Sequence, residues 1–81
     1  MKIAEIKRLC QSYTPNELAR AEERLLEEQN DLKIEVNGID EGEKLTHLMA
    51  AQWCLNDVVK NNRDLKSSIR NYTQKVRKSI D

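Results

Sequence analysis

The sequence predicts an all-α fold: one small four-helix domain made of two helical hairpins, which a short extended segment joins. Apolar residues recur every three or four positions in four stretches of the chain, and a helix-start motif or turn-forming residues separate these stretches. We expect a single domain over residues 1–81, with helices at about 2–13, 15–29, 42–61 and 65–79 and the extended link at about 32–39.

Length and composition limit the classes of function. The chain has 81 residues, of which 38% are apolar and 35% are charged. A chain of this size buries a small core and has little room for a deep catalytic cleft. We therefore exclude a large metabolic enzyme, and we expect no enzymatic activity and no cofactor.

The first helix is predicted by apolar residues at helical spacing. Ile3, Ile6, Leu9 (or Cys10) and Tyr13 form one stripe, which we expect to face the core. The charged side chains expected to face the solvent are Lys2, Glu5, Lys7 and Arg8.

A capping box predicts where the second helix begins. Thr14 can accept hydrogen bonds from amides of the new first turn, Pro15 stands where no amide donor is needed, and Glu17 completes a T-x-x-E motif. The residues expected to face inward are Leu18, Ala21, Leu25 and Leu26, and those expected on an acidic outer face are Glu22, Glu23, Glu27 and Glu28.

The segment Leu32–Val36 alternates apolar and polar residues and ends at the turn-forming pair Asn37-Gly38. The alternation is typical of a strand, but almost no second strand follows it. The segment is therefore either a connector laid over the helices or a strand that pairs with another chain. We favour the connector.

The third helix is apolar on nearly every side, which is typical of a central helix. Its large residues form a broad arc of Leu45, Leu48, Met49, Trp53, Leu55 and Val59. Its small face consists of Ala50, Ala51, Cys54 and Val58. Gln52 and Asn56 fall within the large arc, where unpaired amides are costly. They would pair across the two-fold axis of a homodimer, or bond to the connector within a monomer.

These patterns define a candidate interface. Trp and Met are enriched at the centres of interfaces, although Trp53 is also the ring best suited to fill a core that lacks Phe. The candidate interface residues are Met49, Gln52, Trp53 and Asn56 of the third helix and Ile34 and Val36 of the extended segment.

The fourth helix carries a narrow apolar stripe and basic flanks. Residues 1–43 contain 11 acidic and 6 basic residues, whereas residues 44–81 contain 3 and 8, so the two halves carry −5 and +5. The candidate basic surface is Lys66, Arg70, Arg77 and Lys78, with Lys60, Arg63 and Lys75 nearby. Binding of phosphate or nucleic acid is one interpretation. We favour attraction between the acidic second and basic fourth helices, within one chain or across a dimer, because the pI is about 6.6.

Other candidate chemistry is sparse. His47 is the single histidine, and we expect a packing or capping role for it because no catalytic or metal-binding motif accompanies it. Cys10 and Cys54 fall on inward faces of two helices, so they are either buried structural thiols, which we favour, or a reversible redox pair.

Two motifs resemble a family of small bacterial proteins of unknown function. They are Glu41-Gly42-Glu43-Lys44-Leu45-Thr46-His47, followed by Ala50-Ala51 and Trp53, and Tyr72-Thr73-Gln74-Lys75-Val76-Arg77-Lys78-Ser79-Ile80. The resemblance covers nearly the whole chain and brings no activity or catalytic residues. It implies an association with thioredoxin and peroxiredoxin gene neighbourhoods, which draws attention to the two cysteines.

Together these observations favour a non-enzymatic interaction or adaptor module that forms a homodimer or binds another protein. The alternatives are nucleic-acid or phosphate binding through the basic fourth helix, and an accessory role in thiol redox chemistry. The longest purely apolar run is Leu48–Ala51, and the start of the chain has no signal-peptide pattern. We therefore expect a cytoplasmic protein without a membrane partner.

Overall fold

Four α-helices and no strand make up the described part of the chain. The computed structural model describes residues 2–29 and 31–80, except for the side chains of residues 77–80. The helices are α1 (Ile3–Ser12), α2 (Pro15–Leu26), α3 (Glu41–Lys60) and α4 (Leu65–Ile80). The all-α, four-helix prediction is confirmed.

The starts of three helices follow from side-chain caps. Thr14 Oγ1 accepts from the amide of Glu17 at 3.2 Å, and the Glu17 carboxylate accepts from the amide of Thr14 at 3.0 Å. The capping box at α2 is thus confirmed. Asp40 accepts from the amide of Glu43 at 2.8 Å, and Asp64 accepts from the amide of Ser67 at 2.7 Å. Each carboxylate satisfies an amide that the first turn of a helix leaves without a partner.

The helices are arranged around α3, which packs against α1, α2 and α4. α4 also touches α1. Within the described residues, α2 packs extensively on neither α1 nor α4. The first two helices are therefore not a packed hairpin, and the acidic α2 does not lie along the basic α4 within one chain.

The buried face of α3 consists mainly of its small residues. Ala50, Ala51 and Cys54 are fully buried, together with His47 and Leu48. The large arc was expected to be buried as well, but its members differ. Met49 is 52% exposed and Val59 is 83% exposed. The small side chains allow neighbouring helices to approach closely, so most large ones lie at the edges or outside.

Two expected orientations on α1 and α2 are wrong. Glu5 was expected in the solvent but is only 7% exposed, because it bonds to residues of the extended segment. Leu26 was expected inward but is 64% exposed. It lies about 100° further round α2 than Leu25, and so leaves the face formed by Leu18 and Ala21.

The segment between α2 and α3 is a connector, as favoured from the sequence. Its described residues form no strand, and Val36 is buried in the core while Ile34 packs against that core. The hydroxyl of Tyr13 accepts from the amide of Glu35 at 3.2 Å. At Gly38 an added Cβ would lie 3.0 Å from the backbone nitrogen of Lys44, so a larger residue does not fit this close approach.

The small face of α3 can be tested with an enlarged side chain. We expect Ala51→Leu to lower the free energy of unfolding by about 1–3 kcal/mol, because the fully buried Ala51 leaves no room for three more carbons. Urea denaturation followed by circular dichroism measures this change. Ala19→Leu on the exposed side of α2 is the matched control, with an expected effect within about 0.5 kcal/mol. Equal effects of the two variants would show that α3 does not present this face to its neighbours.

Candidate functional site

The outward side of α3 carries three of the six predicted interface residues, Met49, Gln52 and Asn56. The exposed and half-buried residues at spacings of four and three form what we call the α3 stripe: Leu45, Met49, Gln52, Asn56 and Val59. Met49 and Asn56 are exposed, and Gln52 is half-buried. A repeat of four and three residues is the spacing of a coiled-coil seam. The side of α3 that is turned away from the three other described helices therefore has the pattern of a helix-packing surface.

The two edges of the α3 stripe differ in charge. On the α2 side, the Gln52 amide donates to the Glu22 carboxylate at 3.4 Å. On the α4 side, Trp53 packs against Tyr72 with ring centroids 5.4 Å apart, and the Lys75 ammonium lies 5.5 Å from the Trp53 ring centroid. An ammonium over an indole face is attracted by the ring quadrupole. The stripe therefore has one acidic and one basic edge.

The structure places the other candidate interface residues differently. Trp53 is half-buried and packs against the core, at the boundary between the stripe and α4. Val36 is 9% exposed and belongs to the core of the protomer, and Ile34 packs on that core. The extended segment therefore uses its apolar side chains within the chain, and its two residues do not join the α3 stripe.

The basic residues whose side chains the structure describes lie in different surroundings. Arg63 pairs with the buried Asp57 at 3.4 Å, and Lys75 lies over Trp53. Lys66 and Arg70, by contrast, face α1 across a groove. The predicted positions Arg77 and Lys78 have side chains outside the described residues.

The groove between α1 and α4, which we call the α1–α4 groove, has a volume of about 700 Å³. Ile3, which is 48% exposed, lies on its α1 side, and the buried Ile69 lies at its α4 side. Its cationic lining residues are Lys7, Lys66 and Arg70. The sequence indicated the two α4 cations, but nothing in the pattern of α1 indicated that Lys7 would join them.

A buried polar cluster at the start of α1 was missed by sequence reasoning. The Glu5 carboxylate accepts two hydrogen bonds from the Arg8 guanidinium, at 2.8 and 2.7 Å. It also accepts one from the backbone amide of Asn37 at 2.8 Å. These bonds, above all those from Arg8, lower the pKa of Glu5 to about 2, although burial opposes them. The Glu-x-x-Arg spacing was the available signal, but such pairs are usually exposed.

His47 completes the attachment of the connector. Its Nε2 accepts from the amide of Lys2 at 2.9 Å, and its Nδ1 lies 2.8 Å from the carbonyl oxygen of Asn37. Because a carbonyl can only accept, Nδ1 carries the proton and the ring is neutral in this arrangement. His47 is fully buried, so the packing role expected from the sequence agrees with its position.

A second buried cluster fixes the junction of α3 and α4. The Asp57 carboxylate accepts from the Ser68 hydroxyl at 2.8 Å and from the Asn61 side-chain amide at 2.6 Å. The bond from Asn61, followed by that from Ser68, lowers the pKa of Asp57. Sequence reasoning missed this cluster because Asp57 stands alone within an apolar helix. Its partners lie on both sides of a turn.

Both thiols lie in the core. Cys10 is 8% exposed and Cys54 is fully buried. Burial raises the pKa of Cys10 to about 11 and that of Cys54 to about 12, where Cys10 and Asp57 also contribute. Reactive cysteines have a lowered pKa and are accessible to their partners. The environment of the two thiols therefore favours the structural interpretation over the redox pair.

The described residues contain no group of three or more histidine, cysteine, aspartate or glutamate side chains arranged to hold a metal ion. None of the helices described is both long and apolar enough to cross a membrane.

A family model described as a family of unknown function (DUF6952) matches residues 1–81, the whole chain. The chain belongs to this family. The resemblance inferred from the two sequence motifs to a family of unknown function is thus confirmed. The match assigns no site to the DUF6952 chain, so the surfaces and clusters described above are its candidate functional features. Neither a curated protein nor a solved structure matches the chain.

The cluster around Glu5 makes stability depend on pH. Glu5 has a pKa of about 2 in the folded chain against an ordinary value of 4.5, so its stabilisation is complete above about pH 4.5 and is lost as the pH falls towards 2. We expect Glu5→Gln to cost up to about 3 kcal/mol at pH 7 and to flatten the loss of stability between these pH values. Urea denaturation across this pH range measures both effects.

Glu23→Gln is the control for this prediction, since Glu23 is an exposed carboxylate on α2 outside the cluster. Glu23→Gln should leave the pH dependence of the free energy of unfolding close to that of the original chain. A Glu5→Gln profile as steep as that of Glu23→Gln would contradict the role assigned to Glu5.

Thiol labelling tests the environment of the cysteines. Because both pKa values are raised and both sulfurs are buried, we expect iodoacetamide to leave Cys10 and Cys54 unmodified in the native protein at pH 8. The same treatment in urea should modify both. Intact-mass spectrometry over time follows the reaction. Rapid labelling of either native thiol would restore the redox interpretation.

Proposed function

We propose that this chain is a non-enzymatic protein-interaction module that works as a homodimer, with the α3 stripe as its interface. The observation that carries the proposal is the coiled-coil spacing of Leu45, Met49, Gln52, Asn56 and Val59 on the uncovered side of the central helix. The cytoplasm is the proposed compartment, in agreement with two cysteines that are free and buried.

The polar residues of the stripe favour a parallel pairing of two copies of α3. In a coiled-coil seam, a single Asn at one type of core position selects a parallel dimer and fixes its register. Asn56 is exposed at such a position, with Gln52 one turn before it. Across a two-fold axis, Asn56 of one protomer would face Asn56 of its partner, and each amide would gain a hydrogen-bond partner.

The charged edges of the stripe independently favour the same orientation. A two-fold axis parallel to α3 brings the α2 edge of one protomer over the α4 edge of the other. Glu22 marks the α2 edge and Lys75 marks the α4 edge. In this arrangement Glu22 of each protomer would face Lys75 of the other, so the pair would occur twice. A two-fold axis perpendicular to α3 would instead bring two acidic edges together. Complementary charge selects orientation more than it adds affinity.

A non-enzymatic role is supported by how the chain uses its buried polar groups. Glu5 and His47 hold the connector and the start of α1, and Asp57 and Ser68 join α3 to α4. Each of these side chains is engaged in a structural contact. The groups that a catalytic site would need to keep available for substrate are therefore committed to the fold.

A charged residue at the end of the stripe tests the dimer. Val59 is 83% exposed, so Val59→Lys should leave the protomer folded. In the dimer it would place two strongly hydrated ammonium groups against each other near the two-fold axis. We expect the dimer dissociation constant to rise at least tenfold, or about 1.4 kcal/mol. Sedimentation velocity over a wide concentration range measures this change.

Ile39→Lys is the matched control, because Ile39 is 82% exposed and belongs to the connector, outside the stripe. It should leave the dimer intact. Asn56→Leu should act in the opposite direction, tightening association or changing the number of chains, since the buried amide costs stability in exchange for specificity. A chain that stays monomeric at the highest concentrations, or a dimer that tolerates Val59→Lys, would refute the proposal.

A further inference from the structure

We propose that the α1–α4 groove binds an acidic amphipathic helix of another protein. This site is separate from the α3 stripe and does not depend on the proposed homodimer. The residues that carry the argument are Ile3, Lys7, Leu65, Lys66, Ile69 and Arg70.

The shape of the groove suits a helix. Its walls are two α-helices, with lining residues from Ile3 to Gln11 on α1 and from Leu65 to Gln74 on α4. At a rise of 1.5 Å per residue, each wall is about 12–14 Å long, or between two and three helical turns. A helix packed here would place its ridges between those of α1 and α4. The half-exposed Ile3, with Leu65 and Ile69, offers the apolar contacts that such a helix requires.

The charge of the groove defines the partner's chemistry. All the described charged residues that line it are cations: Lys7, Lys66 and Arg70. Within the described part of the chain, no carboxylate lies at ion-pair distance from any of the three. Asp64 is close enough for Lys66 and Arg70 to help lower its pKa, although the amide of Ser67 lowers it most. An apolar floor with a cationic rim is complementary to a helix with an apolar stripe between carboxylates.

The same observations disfavour nucleic acid. Single-stranded nucleic acid is bound by cationic grooves that also present aromatic rings for base stacking. Among the described residues that line the α1–α4 groove, none is aromatic. The aromatic pair Trp53 and Tyr72 lies on the other side of α4, beside the α3 stripe. The apolar floor therefore faces a partner with aliphatic side chains.

Two designed peptides test the proposal. Both carry the same leucine stripe over about four helical turns, but one is flanked by glutamates and the other by lysines. Fluorescence polarisation at low salt measures their binding to the full chain. We expect the acidic peptide to bind with an affinity that falls as salt is added, and the basic peptide to bind at least tenfold more weakly.

Substitutions locate the site. Lys66→Glu combined with Arg70→Glu should weaken binding of the acidic peptide at least tenfold and improve binding of the basic one. Arg20→Glu is the matched control, because Arg20 is an exposed cation on α2 outside the groove, and it should change neither affinity. Ile3→Ser changes the apolar floor of the groove, so it should weaken binding of the acidic peptide without strengthening binding of the basic one. Circular dichroism and urea denaturation establish that each variant is folded.

Three results would overturn the proposal. One is failure of the acidic peptide to bind at low salt. Another is binding that the Lys66 and Arg70 reversals leave unchanged. The third is displacement of the acidic peptide by single-stranded DNA or inorganic phosphate that is present at a lower concentration than the peptide. Such a result would assign the groove to a nucleic-acid or phosphate ligand. Sedimentation of the Val59→Lys variant with the acidic peptide separates the two proposals. If a monomeric variant still binds the peptide, the proposal for the α1–α4 groove holds even without the homodimer.

Discussion

The close contact made by the small face of α3 determines the rest of the structure. Ala50, Ala51 and Cys54 are fully buried, and the Cys10 thiol approaches the carbonyl oxygen of Ala51 to 3.5 Å. Because this face is turned towards the other helices, the opposite face of the same helix must point away from them. Met49 and Val59 are therefore exposed as a consequence of packing elsewhere. Close packing of small residues inside thus creates the uncovered stripe outside.

Polar contacts hold the parts of the chain that apolar packing alone leaves poorly fixed. The connector has few apolar residues, and the carboxylate of Glu5 and the ring of His47 attach it at Asn37 from two different helices. At the other end of α3, Asp57 binds Ser68 and so fixes α4. The side chains of Glu5, His47, Asp57 and Ser68 are buried, and buried polar groups are costly to leave unpaired. A small core therefore depends on a few buried polar groups to select one arrangement of helices.

The sequence was sufficient for the secondary structure but not for the orientation of the helices. Helix starts are local, so the capping box at Thr14 could be recognised from the few residues around it. The rotation of α3 about its own axis depends on which of its two faces packs inward. Both faces are apolar, so the sequence pattern does not distinguish them. The burial of Glu5 depends on Asn37, far away in the chain. The candidate residues Met49, Gln52 and Asn56 share one surface of α3. Val36 lies in the core and Ile34 packs against it, which the alternation of apolar and polar residues alone could not reveal.

α4 takes part in both proposed surfaces because its opposite sides contact different parts of the protein. Tyr72 and Lys75 contact Trp53 beside the α3 stripe, while Lys66, Ile69 and Arg70 line the groove towards α1. A helix in the groove and a second copy on the stripe would therefore occupy different sides of α4 and would not compete. In a two-fold dimer both grooves stay available, so a partner with two acidic helices on a suitable linker would bind with avidity. Under both proposals, the division of charge between the two halves of the chain would serve both contacts. The acidic α2 would face the basic edge of the second copy, and the remaining cations of α4 would face the other partner.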